Sequence, residues 1–204
     1  MRADPSSSVL YDAGPQSGAR APAPGRLALV QAFVNSRFDL EEQWGEDLFA
    51  TPGGLQRWLQ ARGLPAARVT RAELARTLTV REGLRAQFAE HNGRAADLGA
   101  RAAFREASRG LGAAFELDAA GATVPVPACT GVAGALGLLL AVAHESRTAG
   151  GWTRLKTCPG HHCGWVFYDR SRNGGGTWCS MRVCGGREKA RAYRRRSLAP
   201  ASPT

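Results

Sequence analysis

The stretch that decides the fold is "KTCPGHHCGWVFYDRSRNGGGTWCSMRVCGGREKARAYRRR", residues 156–196. It holds two C-x4-C pairs separated by fifteen residues and then runs into a series of arginines. Four thiolates around a tetrahedral Zn²⁺ require two short loops that each present two sulfurs from one side. The bend at Pro159-Gly160, the strand-like "WVFYD" (165–169) and the "RSRNGGG" turn supply the loops and their connection. The sequence therefore predicts one zinc ion, with Cys158, Cys163, Cys179 and Cys184 as its ligands.

Zinc is also expected because the segment is small. About 40 residues cannot bury enough apolar surface to order themselves, whereas a structural zinc contributes roughly 10–16 kcal/mol of apparent binding free energy. With four sulfurs bound, no coordination position remains for water, so the site is predicted to be structural rather than catalytic. Two alternatives stay open: His161 or His162 replaces one cysteine, or the cysteines form a disulfide or redox pair. The fifth cysteine, Cys129, is predicted to be a small buried apolar residue.

The positive charge of the chain is concentrated beside these cysteines. The formal net charge is +10, of which +9 falls within residues 151–196 and +1 within residues 1–150. A local excess of this size is typical of a protein that binds a polyanion or an anionic membrane surface. Placed on a helix, "GGREKARAYRRRS" carries one basic stripe and a second, neighbouring stripe. The predicted nucleic-acid contacts are Arg182, Arg187, Lys189, Arg191, Arg194, Arg195 and Arg196.

The basic helix has two other interpretations. A solvated basic tail remains open, although such helices usually alternate the sign of their charges and this one has a single acid, Glu188. A membrane-surface helix is disfavoured, because the opposite face offers Ala190, Ala192 and Tyr193 instead of a bulky apolar wedge. Nucleic-acid contact is therefore the favoured prediction, since arginines fork onto phosphates or reach guanine in the major groove.

The predicted fold is mainly α with a small β-hairpin. A disordered leader is predicted at 1–26, a helical domain at 27–150, a treble-clef-like zinc module of short hairpin and basic helix at 151–196, and a disordered tail at 197–204. Thr51-Pro52 and the "TRAE" capping box at 70–73 mark two helix starts. The stretch 27–40 is predicted to be a short helix that turns near Asn35-Ser36. Further helices are predicted at 51–63, 70–92, 95–112 and 130–147, with the hairpin at 115–127.

Several classes of protein are disfavoured by the same sequence. Residues 1–26 lack the apolar core of a secretory signal, and the apolar run 131–144 is shorter than the ~20 residues that span a bilayer. We therefore expect a cytoplasmic, nucleoid-associated protein with reduced cysteines. Neither an open metal site nor a nucleophile–base pair is visible, so no enzymatic activity is expected. His91 and His144 are interpreted as a helix-end and a core-edge histidine.

Residues 155–196, in particular "CGWVFYDRSRN" and "WCSMRVCGGREKARAYRRR", resemble the CGNR-type zinc finger. In bacterial proteins this module follows an N-terminal ABATE domain, named as a putative stress-induced transcription regulator, which "LALVQAFVNSR" and "VREGLRAQFAEHN" resemble here. The resemblance implies that the four cysteines bind zinc and that the basic residues from Arg187 to Arg196 face DNA. It also implies that the small fold around the zinc ion is built by Trp165, Phe167, Asp169, Ser171, Asn173 and Trp178.

Two departures from the family pattern bear on DNA binding. The family's Cys-Gly-Asn-Arg is Cys184-Gly185-Gly186-Arg187 here, and its basic pair before the tryptophan is Gly176-Thr177. These changes leave the zinc ligands in place and predict weaker DNA affinity.

The resemblance predicts a bacterial DNA-binding transcriptional regulator. A homodimer, which would compensate for the limited specificity of one stripe, and a small-molecule effector of the N-terminal domain are both left open. The alternatives are an RNA- or ribosome-associated zinc module and a zinc-held protein-interaction or thiol-redox adaptor.

Overall fold

The computed structural model describes residues 9–38, 46–64 and 66–198. Residues 1–8 of the predicted leader, residues 39–40 of the first predicted helix and residues 199–204 of the predicted tail lie outside this description. Six α-helices occur in the described ranges. They are α1 (Leu27–Val34), α2 (Pro52–Gln60), α3 (Arg71–Glu90), α4 (Leu98–Ala107), α5 (Gly131–Thr148) and α6 (Gly186–Leu198).

Three small antiparallel sheets accompany the helices. The strand β1 (Arg37–Phe38) pairs with β2 (Glu46–Asp47), and β3 (Ala113–Leu117) pairs with β4 (Thr123–Pro127). The third pair, β5 (Leu155–Thr157) and β6 (Val166–Tyr168), carries the first two cysteines on its connecting loop. The predicted class, helical with small hairpins and a C-terminal zinc module, is thus confirmed.

Local sequence signals explain where the helices begin and end. The Thr51 hydroxyl accepts the Gly54 N–H at 3.1 Å with Pro52 in the first turn, and the capping box of Thr70 and Glu73 is formed as predicted. The helix predicted at 95–112 is shorter in the structure, where α4 spans Leu98–Ala107. There the Arg76 guanidinium binds the carbonyl of Ala107 at 2.7 Å, which satisfies an end-of-helix acceptor.

The core of the helical domain surrounds α1, whose eight residues are all buried. Its apolar sequence "LALVQAFV" has no polar face, which is the pattern of a helix covered on every side. Phe33 lies 5.8 Å from Phe49 and 6.0 Å from Trp58, measured between ring centroids. In the described part of the chain, no helix combines the length and hydropathy needed to cross a bilayer.

The hairpin β5–β6 joins this core to the cysteine cluster. Leu155 and Val166 are fully buried among the residues of the helical core, whereas Phe167 is buried among the cysteines. Because neighbouring residues of a strand face opposite sides, β6 contributes to both clusters at once. The hairpin therefore packs against both the helical core and the cysteine cluster.

Residues 9–26 differ from the disordered leader that composition predicts. Leu10, Tyr11 and Ala13 pack on the helical core, and Ala23 is buried with its N–H bound to the Gln31 side chain at 2.7 Å. The physical reason is that Gln31, a polar residue inside an otherwise apolar helix, needs partners when buried. This segment supplies them and continues toward the cysteines.

Candidate metal centre

Four cysteine sulfurs, contributed by the two C-x4-C pairs, meet in one buried cluster. Their Sγ atoms all lie within 4.8 Å of one another, with Cys163 and Cys179 3.6 Å apart and Cys179 and Cys184 3.5 Å apart. Zinc bonds of about 2.3 Å in a tetrahedron place sulfurs about 3.8 Å apart. The observed spacing fits this geometry, and four sulfurs complete the usual coordination number. The cluster is therefore that of one structural zinc ion, as predicted.

The loop between β5 and β6 presents the first cysteine pair. The Cys158 N–H donates to the Trp165 carbonyl at 2.8 Å, which extends the hairpin by one pair beyond the strands. Gly160 then crosses directly over the sulfurs, where a Cβ would lie 3.2 Å from Cys184 Sγ and 3.4 Å from Cys158 Sγ. A side chain at residue 160 would thus press on two ligands.

The second pair is held where the basic helix begins. Ser180 caps this segment by accepting the Val183 N–H at 3.2 Å, and Met181–Gly185 form a π-type turn that runs into α6. Such turns are rare and frequently mark functional positions. Cys184 lies within the turn, so a bound metal fixes the first residues of α6 directly.

Neither histidine that was considered as a ligand belongs to the cluster. Within the described ranges, the candidate metal-binding group consists of four cysteines and contains no histidine. His161 and His162 are exposed, and their rings stack on each other with centroids 3.7 Å apart. No disulfide joins the four cysteines of the cluster, which disfavours the disulfide alternative.

The prediction that Cys129 is buried was wrong. Cys129 is exposed, because it lies in the turn between β4 and α5 rather than inside a helix or strand.

The four thiols differ in how readily they lose a proton. Hydrogen bonds from Cys158 and Cys163 lower the pKa of the Cys179 thiol, whereas burial raises the pKa of the Cys184 thiol to about 12. A bound Zn²⁺ deprotonates coordinating thiols outright. Zinc uptake therefore releases protons and becomes more favourable as the pH rises.

Residues far away in the sequence contribute to the surroundings of the sulfurs. Ser17 Oγ lies 3.4 Å from Cys179 Sγ, and Arg20 donates to the Trp178 carbonyl at 3.1 Å while its guanidinium stacks 5.0 Å from the Phe167 ring centre. Hydrogen bonds to ligating sulfurs fix their orientation and tune the metal. The N-terminal segment thus completes the zinc environment.

We expect Ser17→Ala to lower zinc affinity by roughly tenfold, the lower end of the range for residues that hydrogen-bond to metal ligands. The measurement is competition against a chromogenic chelator. Ser108→Ala is the matched control, because the Ser108 hydroxyl is buried without a partner in the described part of the chain. Equal zinc affinity of Ser17→Ala and wild type would show that the hydroxyl does not support the site.

A buried ion pair holds the turn that precedes the second cysteine pair. Lys156 Nζ lies 2.9 Å from Asp169 Oδ2 and 3.0 Å from the Gly176 carbonyl, and Asp169 also accepts the N–H groups of Ser171 and Gly176. Burial opposes ionisation of Asp169, but these donors outweigh it and hold its pKa below the ordinary value. A Cβ at residue 176 would lie 2.6 Å from Asp169 Oδ1, so the glycine is required here.

The helical domain binds the zinc module through polar side chains that lie in α3 or directly after α1 and α3. Asn35 donates to the Val166 carbonyl at 2.8 Å and accepts the Val166 N–H at 2.7 Å, as a neighbouring strand would. Asn92 donates to the Thr157 carbonyl at 2.9 Å and the Thr177 carbonyl at 2.8 Å, and Arg85 reaches the Gly164 carbonyl. Sequence reasoning did not assign these residues a role, although they stand in the two N-terminal stretches that carry the family resemblance.

The predicted nucleic-acid residues lie on or just before α6. Arg191 is half-buried and bound to Glu188 at 3.0 Å, and Glu188 in turn accepts the His161 N–H at 3.2 Å. The structure therefore gives Arg191 a role in tying α6 to the first cysteine loop, which the sequence did not indicate. The exposed members of the set are Arg182, Arg187, Lys189, Arg194, Arg195 and Arg196.

The site and its helix are those of a zinc finger protein, and family comparisons agree. The CGNR zinc finger family matches residues 154–197, which contain all four cysteines and most of α6. The ABATE family, described as "Putative stress-induced transcription regulator", matches residues 27–149. This second match covers more than half of the chain, so the chain belongs to the ABATE family and ends in a CGNR zinc finger. The comparison with curated proteins gives no match.

Proposed function

We propose that this chain is a DNA-binding transcriptional regulator of the bacterial cytoplasm whose zinc ion fixes the arginine helix α6 for contact with the DNA backbone. The observation that carries the proposal is the position of Cys184, which is both a zinc ligand and part of the turn that starts α6. The metal thereby orders the base of a helix whose outer end is strongly positive. The role is one of binding, and no catalytic step is assigned.

The charge of the exposed surface supports the proposal. Arg194, Arg195 and Arg196 are consecutive and exposed at the outer end of α6, and the acid of this helix, Glu188, is already paired with Arg191. A helix fixed at one end loses less conformational entropy on binding than a free basic tail would. The geometry therefore favours phosphate contact over a merely solvated tail.

Of the two departures from the family pattern, the structure explains the one at residues 176–177. Gly186 is exposed, and a Cβ there would meet only the Met181 carbonyl at 3.7 Å, so an asparagine would fit and nothing in the structure explains its absence. Gly176 is required by its contact with Asp169, and the Thr177 carbonyl is bound by Asn92. Residues 176–177 thus hold the module together, and DNA contact is assigned to α6.

The salt dependence of binding tests the proposal. If about five phosphates are neutralised, log K for duplex DNA should fall with log[salt] at a slope of roughly −4 to −5. Replacing Arg194, Arg195 and Arg196 by Gln should make this slope shallower by about 3, since each phosphate contact contributes about 0.9. Fluorescence anisotropy with a labelled duplex at several salt concentrations measures both.

The matched control replaces three exposed arginines of the helical domain by Gln, and they are Arg68, Arg71 and Arg105. The control changes the net charge by the same amount but leaves α6 intact. If both triple variants weaken binding equally, total charge rather than α6 drives association. An affinity that is indifferent to salt would contradict backbone contact altogether.

One observation favours RNA as a second candidate. Tyr193 is 66% exposed on α6, and exposed aromatic rings stack on unpaired bases of single-stranded or looped RNA. Competition between duplex DNA and a structured RNA at matched salt separates the two candidates. Preference for the RNA, lost in Tyr193→Ala, would assign the module to RNA.

A further inference from the structure

The helical domain contains a second candidate site, a cavity of about 440 Å³ that none of the cysteines lines. Its walls come from α3, α4, α5 and the turn before β5, including Gln87, His91, Phe104, Arg147 and Trp152. The volume falls within the roughly 300–1,000 Å³ of typical small-molecule pockets. The cavity is therefore large enough for a small organic molecule.

The cavity keeps one positive charge that no acid compensates within the described ranges. Glu90 is neutralised by Arg101, which donates to it through Nε at 3.1 Å and through a second guanidinium nitrogen. Arg147 instead donates to the neutral Gln87 side chain at 2.7 Å and has no carboxylate partner among the described residues. Because Arg147 is exposed, water solvates its charge in the free protein and the guanidinium remains accessible to an anionic ligand.

His91 adds no second charge to the cavity. Its Nδ1 lies 2.8 Å from the Leu155 carbonyl, and since a carbonyl only accepts, Nδ1 carries the hydrogen. Burial lowers the pKa of His91, which keeps the ring neutral near pH 7 and leaves its other nitrogen as an acceptor. The attraction for an anion therefore centres on Arg147.

Aromatic surface lies beside that charge. The Arg147 guanidinium carbon stands 4.7 Å from the Trp152 ring centre, and Phe104 is half-buried in the opposite helix. The Trp152 indole N–H is buried without a hydrogen-bond partner in the described part of the chain, whereas buried donors are generally paired. A guanidinium group that stacks on an aromatic ring can still donate two parallel N–H hydrogen bonds to a carboxylate.

We propose that this cavity binds a small organic carboxylate with a planar apolar body, with Arg147, which stacks on the buried Trp152 ring, binding the carboxylate and Phe104 contacting the body. The site would give the helical domain a ligand of its own, separate from the zinc centre. It also adjoins the zinc module, because His91 bonds to the first residue of β5.

The test uses the zinc-loaded full chain and two probes, benzoate and 2-naphthoate, followed by amide chemical shifts. Saturable shifts are expected for residues 87–91 and 147–153 and, through His91, for Leu155. Benzamide, which has the same shape without the charge, and inorganic phosphate, which has charge without the body, should each bind at least about tenfold more weakly. The DNA-binding helix takes no part in this measurement.

Arg147→Gln should weaken binding of the acids roughly tenfold or more. Arg147→Lys keeps the charge but cannot donate two parallel hydrogen bonds, so its affinity for the acids should lie between those of wild type and Arg147→Gln. Arg105→Gln is the matched control, because Arg105 is exposed on α4 and does not line the cavity. Three results would each overturn the proposal: no saturable shift for either acid up to about 10 mM, benzamide or phosphate binding as tightly as the acids, or unchanged affinity in Arg147→Gln.

Discussion

Cys179→Ser is expected to abolish zinc binding and to unfold the zinc module. Cys179 is fully buried at the centre of the cluster, within 3.6 Å of the sulfurs of both Cys163 and Cys184. A serine hydroxyl cannot replace the thiolate ligand in this buried cluster. The variant therefore loses the apparent free energy of zinc binding, which is about 10–16 kcal/mol for structural zinc sites. The measurements are zinc content per chain and the dispersion of amide resonances from residues 155–198.

Cys129→Ser is the matched control for that variant. Cys129 is an exposed free cysteine outside the cluster, so its replacement should leave zinc content and the spectrum unchanged. A Cys179→Ser protein that keeps one zinc and a dispersed spectrum would show that the four-sulfur site is not what folds this segment. Loss of zinc in both variants would instead indicate a general sensitivity to thiol loss.

Asp169→Asn is expected to lower the free energy of unfolding by about 3–5 kcal/mol, the usual cost of removing one partner of a buried ion pair. The substitution leaves the Lys156 ammonium buried without its counter-charge, since Lys156 is 7% exposed and Asp169 is fully buried. Denaturant unfolding in excess zinc measures the loss. The zinc module should unfold before the helical domain, because the ion pair between Lys156 and Asp169 holds the turn that leads to Cys179.

The control for this variant is Asp118→Asn. Asp118 also accepts two backbone N–H groups in a turn, from Ala120 and Ala122, but it is exposed and pairs with no buried cation in the described residues. Its replacement should cost less than about 1 kcal/mol. The double variant Lys156→Met/Asp169→Asn should recover part of the loss, because it removes the uncompensated ammonium group while the Asn side-chain oxygen still accepts a backbone N–H. Equal losses in Asp169→Asn and Asp118→Asn would contradict a structural role for the buried pair.

The zinc site and most helices could be predicted because their causes are local in sequence. The C-x4-C pairs fix four ligands and a turn between them, and the caps at Thr51 and Thr70 fix two helix starts, so spacing alone was sufficient. The end of α4 was predicted too late, although a local signal was present, because Gly110 takes a positive φ just after the helix ends at Ala107. Contacts between residues that are far apart in the sequence leave no such local signal.

The attachment of the zinc module could not be predicted for the same reason. Ser17 and Arg20 reach the second cysteine pair across more than 150 residues, and Asn35 pairs with Val166 across 131. A sequence rich in Pro, Ala and Gly gives no periodic signal for such contacts, so residues 9–26 look disordered in composition. Polar residues within or directly after an apolar helix, such as Gln31 and Asn35, are the sequence signal of such distant partners, because buried polar groups need hydrogen bonds.

The most direct test of the account is zinc titration of chelator-stripped protein in the presence of labelled duplex DNA. The account predicts that stripped protein binds DNA no better than a disordered basic peptide and that binding recovers in proportion to zinc, reaching its maximum at one zinc per chain. Metal-free protein that binds DNA as tightly as the zinc-loaded form would contradict the claim that the metal positions α6.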